Sequence, residues 1–246
     1  MDQNELKEYL DFKFEQYNTA EFIQTDPIQL PHRFTSKEDI EIVAFLVSTI
    51  AWGKRQMIIR SGERLIEIMN NEPYNFVRNY KSTDLDFVHR TFNNVDLDFF
   101  FRALNNLYKQ GGLEGAFGDK HGKSAINRIQ SFRETFLLTQ HEKRSEKHLS
   151  NPAKNSAAKR LNMFLRWMVR NDNSQVDFGL WKSISPSELY IPLDVHTANV
   201  SRNIGILKRK QNDLKALEEI MTTLREFDPN DPAKYDFALF GIGAFE

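Results

Sequence analysis

The chain has 246 residues, 40% of them apolar and 12% aromatic, enough to bury a sizeable core in one large domain or two small lobes. It has no cysteine, which excludes disulfides, thiolate catalysis, cysteine-bound zinc and iron–sulfur clusters, and its six histidines show no HExxH spacing. The formal charge of −1 excludes a uniformly basic coat, but residues 141–170 hold eight Lys or Arg against two Glu, while the first thirty residues are acidic.

No run of eighteen apolar residues occurs and the N-terminus lacks a signal-peptide pattern, so a cytoplasmic protein is expected. Glu5 to Tyr17 reads as a first helix. An irregular segment with Pro27 and Pro31 follows, then Thr35-Ser-Lys-Glu38 reads as a capping box. The helix it starts is apolar nearly all round, from Ile42 through Ala51, and should be central. Trp52-Gly53 ends it, and a second helix runs from Lys54 to Pro73. Short helical pieces are expected at Tyr74 to Asn79 and Leu85 to Thr91, then a clearer helix from Asp96 to Lys109, stopped by Gly111-Gly112. The glycine cluster at 111–124 is the natural boundary between two lobes, and Ser124 can cap a helix reaching about Gln140.

His141 to Asn155 is polar and reads as a loop. A helix is expected from Ser156 to Arg170, an irregular stretch from Asn171 to Leu193, and a helix headed by Asp194 and ended by Gly205. Asn212 reads as the cap of the next helix, to Phe227, and Asp231-Pro232 starts the last, near Tyr235 to Ile242. No alternating strand pattern is visible. The pattern predicts an all-α fold of about ten helices, without repeats.

The chemistry-bearing residues concentrate between Ser156 and Gly205. On the helix beginning there, Leu161, Phe164, Leu165 and Met168 form the buried stripe, and Lys159, Arg166 and Arg170 fall opposite. Such cations usually just solvate a helix face, but Met163 and Trp167 beside them suggest a face turned to a cleft or partner. Apolar neighbours would also lower the pKa of the Lys159 amine, as a nucleophile requires. Asp194, placed as an N-cap, would be an ionised and spatially fixed carboxylate able to stabilise a developing cation. His196 reads as structural. Lys154, Asn155, Ser156, Arg160 and Arg166, with Arg202 and the nearby lysines, could flank a phosphate track. Trp52 with Gln56, Trp167 and Trp181 are candidates for stacking on an extruded base and reading its edge.

These residues resemble the helix-hairpin-helix DNA glycosylase superfamily. Leu193-Asp-Val-His-Thr-Ala-Asn-Val200 with Ile204-Gly205 is similar to its aspartate motif, and Lys159, after the Asn151 to Ser156 loop, resembles its nucleophilic lysine. Nearly the whole chain resembles an uncharacterised bacterial family of the DUF2400 type, through Lys159 to Arg170, Pro192-Leu-Asp-Val-His-Thr197 and Asp231-Pro-Ala-Lys-Tyr-Asp-Phe-Ala-Leu-Phe240. Among the glycosylases the archaeal 8-oxoguanine branch is the most similar.

The departures are a hairpin without the usual glycines, Asn199 and Asn203 where arginines are common, and a spacing of 35 residues between Lys159 and Asp194. The resemblance implies a two-lobed fold with a cleft between lobes. It further implies a monomer acting on damaged double-stranded DNA, a glycosylase and β-lyase working through a Lys159 Schiff base assisted by Asp194, without metal or organic cofactor. The alternatives are a non-catalytic nucleic-acid-binding protein of the same fold and a protein-interaction module using the Trp167 face.

Overall fold

The structure, a computed structural model, describes residues 1–246 and is all-α apart from one two-stranded hairpin. In chain order the helices are α1 (Gln3–Tyr17), α2 (Ala20–Thr25), α3 (Lys37–Thr49), α4 (Arg55–Ile68), α5 (Pro73–Arg78), α6 (Asn94–Tyr108), α7 (Gly112–Ala116), α8 (Ala125–Phe136), α9 (Lys159–Val169), α10 (Val195–Asn203), α11 (Leu214–Phe227) and α12 (Tyr235–Phe245). Short 3-10 turns fill several connections. No helix is long and apolar enough to cross a membrane. The chain forms two compact units: residues 1–24, 123–126 and 151–246 make one, and residues 25–122 and 127–150 the other.

The second unit is built on α3, which is buried from Ile40 through Thr49. Its apolar surround is largely phenylalanine. Phe45 meets Phe100, Phe132 and Phe136 with ring centres 5.4 to 5.7 Å apart, and Phe117 stacks on Phe132 at 4.2 Å. Such ring pairs add specific geometry to the burial of large apolar area. Gly62 brings α4 close: a Cβ there would lie 2.3 Å from a Leu30 methyl and 3.2 Å from one of Val47.

Several local expectations are corrected. Ser36, not Thr35, caps α3, because its hydroxyl accepts from the Asp39 amide, and Asp213 rather than Asn212 caps α11 through the Ala216 amide. Residues 85–91 are not helical. Val88–His89 and Phe92–Asn93 pair as antiparallel β1 and β2, with Arg90 at φ +56° in the turn, and the hairpin buries His89 and Phe92 on one side. The glycine-rich stretch contains α7, and the supposed loop at 141–155 is two 3-10 turns, Lys143–His148 and Pro152–Lys154.

The turn at Lys143–His148 is held by one buried carboxylate. Asp96 accepts from the Ser145 hydroxyl at 2.6 Å, Arg144 at 2.9 Å, the Asn93 amide at 3.0 Å and His148 Nε2 at 3.2 Å. Burial raises its pKa, but the His148 and Ser145 bonds outweigh that and hold it at about 2. His148 in turn stacks on Trp52, ring centres 5.9 Å apart.

In the other unit α12 is the hub, packed along α1 and α10. Gly241 allows the close approach of α1, since a Cβ there would sit 2.1 Å from the Tyr17 ring, and Gly243 does the same against His196 of α10.

Because the Asp96 carboxyl has a folded pKa below its unfolded value of about 4, the stability it contributes is present above that pH and lost as pH falls toward 2. Asp96→Asn is expected to cost about 2 kcal/mol at neutral pH and to flatten the stability profile between pH 4 and 2. Chemical denaturation across that pH range measures both.

Candidate active site

Lys159 is the first residue of α9, and what precedes it sets its position. The turn Pro152–Lys154 ends in Asn155 at φ +63°, whose carbonyl accepts from the Leu214 amide and whose side chain donates to Asp213 at 2.9 Å. Ala158 then takes φ +47° as the N-cap, and no side chain caps α9. The Ser156 hydroxyl accepts only from the Ala158 amide, at 3.2 Å. The first amides of α9 therefore have no side-chain acceptor, and an uncapped helix start is suited to an anion.

Asp194 is the N-cap of α10, as its position implies. One carboxylate oxygen, Oδ1, accepts from the Thr197 amide at 2.9 Å, and the other, Oδ2, lies 3.4 Å from Lys159 Nζ. The lysine side chain is 38% exposed and that of the aspartate 14%. The separation exceeds the roughly 2.7–2.9 Å of a tight charged hydrogen bond, so the amine is held near the carboxylate without being locked to it. The apolar setting expected for the amine is not found: its nearest charged neighbour is a carboxylate and part of it meets solvent.

Arg166 and Arg170, two and three turns along α9, do not face solvent. Arg166 donates from Nε to Asp177 at 3.3 Å and from Nη1 to Asp236, and its guanidinium lies over Phe237, 4.3 Å from the ring centre. Arg170 pairs with Asp172 at 2.7 Å, Asp231 at 2.8 Å and Asp177 at 3.2 Å. Four carboxylates thus surround two guanidiniums, an excess of two negative charges if all ionise. Burial pushes Asp236 up to about 7; the Arg166 guanidinium opposes this, and the nearby charges of Asp194 and Asp177 add to it. Burial likewise raises Asp231 to about 6 against the pull of Arg170. Asp236 feels the charge of both Asp194 and Lys159, so the buried network and the surface pair form one electrostatic system.

The remaining expected site residues separate. Lys154 and Asn155 are exposed, while Ser156 and Arg160 are half-buried, and burial lowers the Arg160 guanidinium to about 10. Arg202 is turned to the chain itself, donating to the carbonyls of Arg209 and Lys210 and to Asn212. Trp167 and Trp181 are fully buried, Trp181 edge-on to Phe164. Trp52 and Gln56 belong to the other unit, where Trp52 is half-buried and Gln56 exposed. The four aspartates around the arginines were invisible as a group in the sequence. Asp231 read as a helix start and Asp236 only as part of the Asp231 to Phe240 signature, and Asp172 and Asp177 lay in a stretch without a pattern.

Fold and site define an all-helical protein that presents a lysine–aspartate pair at two helix starts. The chain belongs to the family described as protein of unknown function (DUF2400), which matches residues 26–245. No curated protein and no solved structure matches it.

Two outcomes separate the surface pair from the network beneath. Arg166→Met leaves Asp177 and Asp236 without their shared cation and is expected to cost about 3–5 kcal/mol, whereas Lys159→Gln should change stability by less than about 0.5 kcal/mol. Thermal denaturation of the two variants compares them. Since Asp236 has a folded pKa above its unfolded value, it holds its proton more tightly when folded, and its contribution to stability is lost as pH rises from about 4 to about 7. Asp236→Asn should remove that part of the decline, read from urea midpoints at successive pH values.

Proposed function

We propose that the protein is a DNA base-excision glycosylase with lyase activity, acting on a damaged base, an oxidised purine being the favoured class. The observation that carries the reading is the Lys159–Asp194 pair: a partly exposed amine 3.4 Å from a carboxylate whose other oxygen is fixed by a helix amide. Bringing together two residues 35 positions apart creates the nucleophile and charge-stabilising group that attack at a sugar carbon needs.

In the proposed reaction the target nucleotide is turned out of the duplex. The Lys159 amine gives up a proton to solvent and attacks C1′ as the bond from C1′ to the base breaks, and the base leaves with the electron pair of that bond and takes up a proton from water. Asp194 offsets the positive charge that develops on the sugar and then accepts a proton from the new ammonium. The C1′–O4′ bond then breaks as O4′ takes up the proton held by Asp194, giving a Schiff base, and abstraction of a C2′ proton expels the 3′ phosphate. The uncapped start of α9, with Lys154, Asn155, Ser156 and Arg160 around it, supplies amides and cations for the phosphate backbone on either side of the extruded nucleotide. That same feature supports binding to nucleic acid without catalysis, the second reading.

Borohydride trapping on duplexes containing 8-oxoguanine, uracil, thymine glycol or an abasic site tests the proposal. A covalent adduct is expected with the wild type and none with Lys159→Gln. Asp194→Asn, which can still cap α10, should lose on the order of 10²-fold or more in rate with little change in stability. An adduct that persists in Lys159→Gln rejects this lysine as nucleophile. Salt-sensitive duplex binding with no adduct on any substrate selects the non-catalytic reading.

A further inference from the structure

The unit containing α3 and α4 has a cavity of about 580 Å³, lined by Arg60, Ser61, Arg64, Phe87 and Val88 together with the carboxylates of Glu63, Glu67 and Asp86. Ser61 is half-buried on α4, and its hydroxyl lies 2.8 Å from His89 Nδ1. The hairpin that buries His89 also fixes the ring's protonation. Nε2 is 3.2 Å from the carbonyl oxygen of Trp52, and since a carbonyl only accepts, the ring proton is on Nε2. Nδ1 is therefore the acceptor, and the Ser61 hydroxyl is the donor. Burial keeps the imidazole neutral by lowering its pKa. A serine donating to an imidazole that is oriented by a third group is the arrangement required of an activated hydroxyl nucleophile.

The cavity walls differ in character. Arg64 is engaged by Glu67 at 3.2 Å and more loosely by Asp86 at 3.7 Å. Arg60 meets no acid and stands exposed at the cavity, one residue before Ser61. Val88 is 69% exposed, so an apolar side chain and an uncommitted guanidinium flank the same opening.

We propose that Ser61 and His89 form a second reactive site, a nucleophile and its general base, that cleaves esters of small carboxylic acids carrying an anionic end bound by Arg60. In the first step the Ser61 oxygen bonds to the acyl carbon, its proton passes to His89 Nδ1, and the ester bond breaks as that proton moves to the leaving alkoxide. In the second, water attacks the acyl carbon and gives a proton to His89. The Ser61 bond then breaks and the serine oxygen recovers the proton, releasing the acid. The Trp52 carbonyl holds the imidazolium in register while it carries the extra proton.

The site is independent of Lys159 and is tested on the full chain. Treatment with a fluorophosphonate is expected to place one covalent label on Ser61, located by peptide mass spectrometry, and hydrolysis of p-nitrophenyl succinate should fall roughly 10²-fold or more in Ser61→Ala and His89→Gln. Lys159→Gln should label and hydrolyse like the wild type. Arg60→Ala should raise KM for the succinate ester about tenfold and leave p-nitrophenyl acetate unchanged, a difference that a structural role for the serine and histidine would not produce. Correctly folded wild-type protein that carries no label on Ser61, or hydrolysis that survives Ser61→Ala, overturns the proposal.

Discussion

The pairing of the buried Arg166 and Arg170 with four aspartates, two buried and two half-buried, is the constraint on which the unit around α9 depends. Each guanidinium costs several kcal/mol to remove from water, and only close carboxylates offset that cost. The acids come from three places: Asp172 and Asp177 from the irregular stretch after α9, Asp231 from the turn before α12, and Asp236 from α12 itself. The network therefore ties a long unpatterned segment and the last helix to one face of α9. Burial, with the charge of neighbouring aspartates added to it, makes Asp231 and Asp236 hold protons into the range of pH 6 to 7.

That arrangement bears on the surface pair. Lys159 begins the helix whose far end is clamped by the arginines, and Asp194 begins α10, which packs against the same α12 that supplies Asp236. Lys159 thus sits at the start of a helix whose other end is fixed in the core, and Asp194 at the start of a helix held against α12. Asp194 divides its oxygens, one on the Thr197 amide and one toward the amine, so a single side chain caps α10 and faces Lys159 without conflict.

A single carboxylate plays the corresponding part in the other unit. Asp96 gathers Ser145, Arg144 and His148, and through His148 it supports one side of Trp52, while His89 bonds the Trp52 carbonyl. The two buried acid systems answer to opposite pH changes. Asp96 is ionised and surrounded by donors, so acid weakens it; Asp236 outnumbers its cations together with its neighbours, so base weakens it.

The sequence by itself determined the helical class, the central place of α3, the N-cap role of Asp194 and the concentration of basic residues between 141 and 170. Each follows from local patterns: 3.6-residue periodicity, capping chemistry and charge density are written within one helix or turn. It did not determine which cations are solvated, because a helical projection shows that Arg166 and Arg170 lie opposite the apolar stripe but not that acids from residues 172–236 cover them. The hairpin at 88–93 escaped for a similar reason, since strands of two residues carry no readable alternation and are stabilised by what His89 and Phe92 bury. Tertiary structure alone decided that Lys159 meets Asp194 and that Ser61 meets His89, because contacts across 35 and 28 residues arise from packing and leave no periodic trace in the chain.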